Sequence, residues 1–127
     1  MLFRSVSILV RTTGQIDNLA HKLADAGIEN VRLRPNMADD RGQPGVRLST
    51  MHRAKGLEFQ AVAIPFLSKS IFPPPWMLKG AADDVDRRNI LQQEKSLLHV
   101  AATRAKKILR VSWSGEPSAL IVLPKQS

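Results

Sequence analysis

The chain has 127 residues, 43% of them apolar, and carries 19 Lys and Arg against 11 Asp and Glu, for a net charge of +8. That length suits one domain with one core, and the frequent, regularly spaced apolar residues exclude a disordered basic tail. The absence of any apolar run of about 18 residues excludes a transmembrane helix, and the absence of Cys excludes disulfides, thiol catalysis and thiolate zinc sites.

The opening MLFRSVSILVR lacks the basic start, long apolar stretch and small-residue cleavage site of a signal peptide, so a cytoplasmic location is expected. Within it, Ser5–Val10 is a short β-branched, apolar run that predicts a buried strand. Ile16, Leu19, Ala20, Leu23 and Ala26 recur at helical spacing and predict a helix over Ile16–Ala26, closed by Gly27 as a left-handed cap. Val31–Arg34 predicts a second strand, and residues 35–45, rich in Pro, Gly and Asp, a loop. Val46–Ser49 and Ala61–Phe66 predict two further strands around a compact polar segment. Pro73, Pro74 and Pro75 predict a long surface connection over residues 68–85 in place of regular helix. Asp86–Lys107 is the longest helical pattern, with Ile90, Leu91, Leu97, Leu98, Ala101, Ala102 and Ala105 on one face. Ile108–Trp113 predicts a last strand and Pro117–Leu123 a short closing helix. Strands alternating with helices predict an α/β layered domain with a mainly parallel sheet, whose ligand sites lie in loops at strand ends.

The charge is lopsided: residues 1–45 carry +1 and residues 46–127 carry +7. Such a surplus favours a polyanionic partner and places phosphate-binding work in the second part. Two segments there carry chemistry. In the first, VRLSTMHRAKGLEFQAVAI over residues 46–64, Thr50 and His52 lie two apart at the end of an extended run and are expected to project to one side. Gly56 lets backbone approach a ligand, and Lys55 and Glu58 supply a cation and an acceptor. This set could hold phosphate on one side and a sugar hydroxyl on the other; the plainer reading is a solvated turn joining two core strands. In the second, EKSLLHVAATRAKKILRVSW over residues 94–113, small residues allow close packing on a sheet. Lys106 and Lys107 are explained by a helix C-terminus that favours cations. Arg104, set in a packed Ala-rich stretch, is explained less well that way, and a guanidinium held there could stabilise a transferring phosphoryl group.

TMHRAKGLEF followed by IFP and then EKSLLHVAATRAKKIL resembles motifs V and VI of superfamily 1 helicases of the UvrD/Rep/PcrA type. VSILVRTTGQIDNLAHKLADAGI resembles the segment that opens the C-terminal half of their second RecA-like domain, so the resemblance runs over nearly the whole chain in the family's order. It implies a three-layer RecA-like fold, of the P-loop NTPase type, and an ATP site in the cleft between two such domains. Arg104 matches the motif VI arginine that reaches the γ-phosphate across that cleft, an arginine finger supplied by the neighbouring domain. Glu58 matches the glutamate that accepts from the ribose, Gly56 the glycine beside the phosphates, and Lys55 a lysine between nucleotide and DNA. Thr50 and His52 match positions facing single-stranded DNA. Glu94 and Thr103 match motif VI positions of mainly positional role, and Arg11 and Gln15 a stretch where a structural turn is an equal reading. His99 stands where the family usually has Tyr, Ala101 where Gly is common, Gln60 in place of a frequent Pro and Asp17 in place of a frequent Arg.

No GxxxxGK[ST] phosphate loop occurs in the sequence. Asp39–Asp40 and Asp83–Asp84 are read as solvated loop charges, not as the acidic pair that binds magnesium. The resemblance therefore implies half of an ATP site, with Mg2+ and the phosphate loop supplied by an absent first RecA-like domain. The expected organisation is one second RecA-like (2A) domain over residues 1–127, a C-terminal fragment of a longer protein and inactive alone, with the 35–45 loop in place of the family's 2B insertion. A stand-alone nucleic-acid-binding or regulatory module without ATPase activity is the alternative, set against a shortage of aromatic platforms, there being no Tyr. A metal hydrolase using His21, His52 and His99 is opposed by the absence of ligand spacing.

Overall fold

The computed structural model describes residues 5–33 and 43–121. In chain order these form strand β1 (Val6–Val10), helix α1 (Thr13–Asp25), β2 (Asn30–Arg32), β3 (Val46–Thr50), β4 (Phe59–Ile64), α2 (Pro75–Lys79), α3 (Asp84–Ala102) and β5 (Ala105–Val111). The five strands make one sheet in the order β2-β3-β1-β4-β5, every neighbouring pair parallel. Parallel neighbours cannot be joined by hairpins, so the chain must cross over the sheet between them.

The middle strand explains the layers. β1 is nearly all apolar because both of its faces are covered. Val10, with Val6 and Ile8 beside it, packs with Val46 and Leu48 of β3 and with Ile16 and Ala20 of α1. Leu9 points the other way, into a cluster with Met51, Phe59, Val62, Ile64 and Phe72 and with Leu98 and Ala101 of α3. Alternation along a strand therefore feeds two cores, one under each helix layer. The expected α/β sheet with RecA-like layering is present.

Local chemistry moves several element ends from their expected places. α1 starts at Thr13 because Thr12 and Gln15 form a capping box: the Gln15 amide N–H donates to the Thr12 hydroxyl, and the Gln15 side-chain oxygen accepts from Arg11 and Thr12 N–H. Gly27 takes φ +76°, the left-handed closure that its position predicts. The proline run does not exclude helix altogether. Pro75 opens the short helix α2, where its missing N–H costs no intrahelical bond. Asp83 is the N-cap of α3, accepting from Asp86 N–H at 2.8 Å, and Asp84 lies in the first turn. Both acids are solvent-exposed, as expected, but they sit at a helix start and not in a loop: Asp83 caps it, and Asp84 in the first turn faces the positive end of the helix dipole.

The far end of α3 departs most from expectation. The helix stops at Ala102, not at Lys107, and Lys106 and Lys107 belong to β5. Ala, Arg and Lys here are good helix formers, so propensity alone would carry the helix on. Strand pairing overrides it: Phe59 N–H donates to Arg104 C=O at 2.9 Å, and Phe59 stands opposite Ala105 in the β4–β5 ladder. Residues 117–121 form no helix; Pro117 bridges to Ser68, and residues 122–127 of the expected closing helix lie outside the described residues. Most of the 35–45 loop, with Asp39 and Asp40, also lies outside them.

Candidate functional site

The segment between β3 and β4 is a coil of turns, anchored by Met51 and Ala54, both buried in the α3-side core. Thr50 ends β3. Its hydroxyl accepts from Arg53 N–H at 3.2 Å, and its carbonyl accepts from Ala54 N–H at 3.2 Å. Because the extended run ends at Thr50, the two-residue alternation expected for Thr50 and His52 does not reach His52, which sits in the turn. Gly56 has φ +85° with open space where a Cβ would stand, so this glycine serves a left-handed backbone and leaves that face accessible. The chain reverses there, and residues on its two sides face different hollows.

The first hollow, about 310 Å³, is lined by Ser5, Gly56, Leu57, Glu58, Phe59, Gln60, Arg104 and Lys106. It lies at the amino ends of β4 and β5. Arg104 occupies the tight turn from α3 into β5. Its Nε donates to Val100 C=O at 3.2 Å, Nη1 to Leu57 C=O at 3.4 Å and Nη2 to the Thr103 hydroxyl at 3.1 Å. Lys106 Nζ stands 3.6 Å from Glu58 Oε2, an exposed pair. Two cations flank an acceptor carboxylate and an open glycine, which suits a polyanion bearing a hydroxyl group.

The second hollow, about 440 Å³, is lined by Arg11, Met51, His52, Lys55, Met77 and, along α3, Gln93, Glu94, Ser96, Leu97 and Val100. At its floor Arg11 donates twice to Glu94, from Nε at 2.8 Å and from Nη2 at 2.9 Å. The pair is bidentate and deep, with side-chain exposures of 15% and 4%. It ties the end of β1 to the middle of α3. His52 overlooks it with a pKa held below the usual 6.5, first by partial desolvation and then by the Arg11 charge, against a raising effect of Glu94. Both of the leading causes favour the uncharged imidazole.

Of the predicted residues, Gly56, Glu58 and Arg104 come together in the first hollow, and His52 and Lys55 in the second. Lys55, grouped from the sequence with the nucleotide set, stands apart from Arg104 because the chain turns at Gly56. Two features go beyond the sequence reading, the place of Lys106 in the first hollow and the pairing of Arg11 with Glu94. Lys106 is expected at a helix end, and nothing in its helix-favouring neighbourhood marks a strand. The Arg11–Glu94 pair had a readable sign: Glu94 falls four residues from both Ile90 and Leu98, on the apolar stripe of α3, and a carboxylate there needs a partner. Gln15 is the helix-capping residue of the plainer reading, and His99 is exposed on α3. Asp17, where the family often has Arg, pairs with Arg32 of β2. His21 lies on α1, across the sheet from His99, and among the described residues no three His, Asp or Glu side chains converge as a metal site. No helix among them is long and apolar enough to cross a membrane.

Comparison with known proteins identifies the family. Residues 2–116 match the UvrD-like helicase C-terminal domain family. The chain is 40% identical over 68 residues to an ATP-dependent DNA helicase PcrA of Staphylococcus aureus strain MRSA252, a match covering 54% of this chain and 9% of that protein. It is 39% identical over 70 residues to the PcrA of Staphylococcus epidermidis strain ATCC 12228, covering 55% of this chain and 9% of that protein. The chain thus spans about a tenth of the length of these relatives. In fold it resembles the crystal structure of the C-terminal domain of a possible DNA helicase from Lactobacillus plantarum WCFS1, with TM-score 0.60, 20% identity, and coverage of 91% of this chain and 60% of that one. With the family match running from the first strand to beyond the last, the chain belongs to the UvrD-like helicase C-terminal domain family.

Proposed function

We propose that the chain is the second RecA-like motor domain of an ATP-dependent DNA helicase or translocase, and that its first hollow is half of a nucleotide site. The observation that carries this reading is the convergence of Gly56 and Glu58 of one segment with Arg104 of another, at the amino ends of β4 and β5. Arg104 supplies the arginine finger to the γ-phosphate of ATP bound on the first domain. Glu58 accepts from the ribose, and Gly56 leaves room beside the phosphates. The guanidinium and amine in the hollow fit a polyphosphate. The phosphate loop and the acidic residues for Mg2+ belong to the first domain of the same protein.

Thr50 and His52 contact single-stranded DNA on the other side of the turn. With its uncharged form favoured, His52 acts there by hydrogen bonding and packing. Lys55 lies between the two contacts. The segment 50–58 then touches the strand at one end and nucleotide at the other, so closure of the interdomain cleft alters grip on the strand, and hydrolysis releases it.

Arg104→Ala in the helicase carrying this domain should lower ATP turnover by about 10³-fold or more, with single-strand affinity retained. Steady-state ATPase and a strand-binding titration check both halves. Parental turnover in the variant would remove the finger assignment.

A further inference from the structure

The Arg104 side chain is held by three acceptors of its own domain, and one of them is a side chain. The Thr103 hydroxyl accepts from Arg104 Nη2 at 3.1 Å and itself donates to Val100 C=O at 2.7 Å. Val100 C=O also accepts from Arg104 Nε at 3.2 Å. Guanidinium, hydroxyl and carbonyl thus form a closed ring of three hydrogen bonds at the end of α3. A hydroxyl has one proton and two lone pairs. Spending the proton on Val100 fixes the rotor and turns a lone pair to Nη2. Of the five guanidinium N–H groups, Nε and one each on Nη1 and Nη2 are engaged, leaving one on each terminal nitrogen for a ligand.

We propose that Thr103 is a positioning residue for Arg104: its hydroxyl, locked by Val100 C=O, sets the plane of the guanidinium so that its two remaining donors are pre-aimed. This rests on the reading of Arg104 as the residue that meets phosphate. Thr103 is exposed at the C-cap of α3; its hydroxyl also serves the helix end through Val100 C=O, so the test must separate that local role from the orientation of Arg104. A preorganised donor avoids reorganising when charge develops, which is the condition for strong stabilisation.

Two measurements test this. In the chain itself, nitrogen-15 NMR should find the Arg104 Nη2 protons protected from exchange. T103V, which keeps the shape and removes the hydroxyl, should abolish that protection, and T103S should restore it. In the helicase carrying this domain, T103V should lower kcat for ATP about tenfold, the worth of one such bond, with KM little changed. T103S should return to within about twofold of the parent, and T103V should add no further loss in an R104A background. Wild-type kcat in T103V while R104A is inactive would overturn the proposal, as would equal losses in T103S and T103V. Full turnover in R104A would instead overturn the finger reading, and the NMR comparison would still decide whether Thr103 orients Arg104.

Discussion

Arg11 and Glu94 show how much one pair can do in a small domain. Both are largely buried and each satisfies the other in bidentate geometry, so removing either leaves an uncompensated charge inside. Arg11→Ala should destabilise the fold by about 3 kcal/mol or more, read as a lower urea midpoint. A shift under about 1 kcal/mol would place the pair with ordinary surface ion pairs. His52 reports on the same place. Its ring should titrate below 6.5 in an NMR pH series, because desolvation and Arg11 both disfavour the cation. The folded state binds this proton less readily than the unfolded state. The stability it confers is therefore present above 6.5 and lost as pH falls through the lower folded value. A midpoint at or above 6.5 would contradict the geometry. The lining of the first hollow was legible to different depths. Arg104, Glu58 and Gly56, which meet there, stand out in the sequence because their motif spacing is long and specific. Lys106 does not, because a lysine after Ala in a helix-forming run gives no sign of the strand that captures it.

At the scale of elements, the sequence pattern located every strand and the two long helices: β1, covered on both faces, and the one-sided helices leave clear apolar patterns, while β5, an edge strand exposed along most of its length, showed only as a short apolar run. It failed at ends. Thr12–Gln15 capping, Pro75 at a helix start and the Asp83 N-cap are local hydrogen-bonding solutions that apolar spacing does not encode. The end of α3 was illegible for a different reason: the competing partner, the ladder of β4, is remote in sequence. One tight join matters for the β2–β3 edge. Gly45 has φ +125°, and a Cβ there would stand 2.8 Å from the Glu29 carbonyl carbon, beside the Val46 N–H to Glu29 C=O bond. Gly45→Ala should cost about 2 kcal/mol or more from strain and displacement together. Gly27→Ala, left-handed at φ +76° but with nothing within 4 Å of the added atom, should cost less. Chemical denaturation of the two variants orders them. A larger loss for Gly27→Ala would show that backbone crowding at Gly45 relaxes freely.

As a whole molecule, the protein is a three-layer sheet domain whose net charge of +8 now divides into parts with different work. Arg11 is internal, neutralised by Glu94. Arg104 and Lys106 face the first hollow, and Lys55 the second. The charge count alone suggested an independent polyanion binder; the arrangement instead supports one wall of a site completed by another domain. That claim is tested most directly by ATP turnover of the chain alone and of the chain joined to a first RecA-like domain bearing a phosphate loop, each with and without Arg104→Ala. The account predicts negligible turnover for the chain alone, and DNA-stimulated turnover in the joined protein that disappears with Arg104. Robust, arginine-dependent turnover by the isolated chain would contradict it.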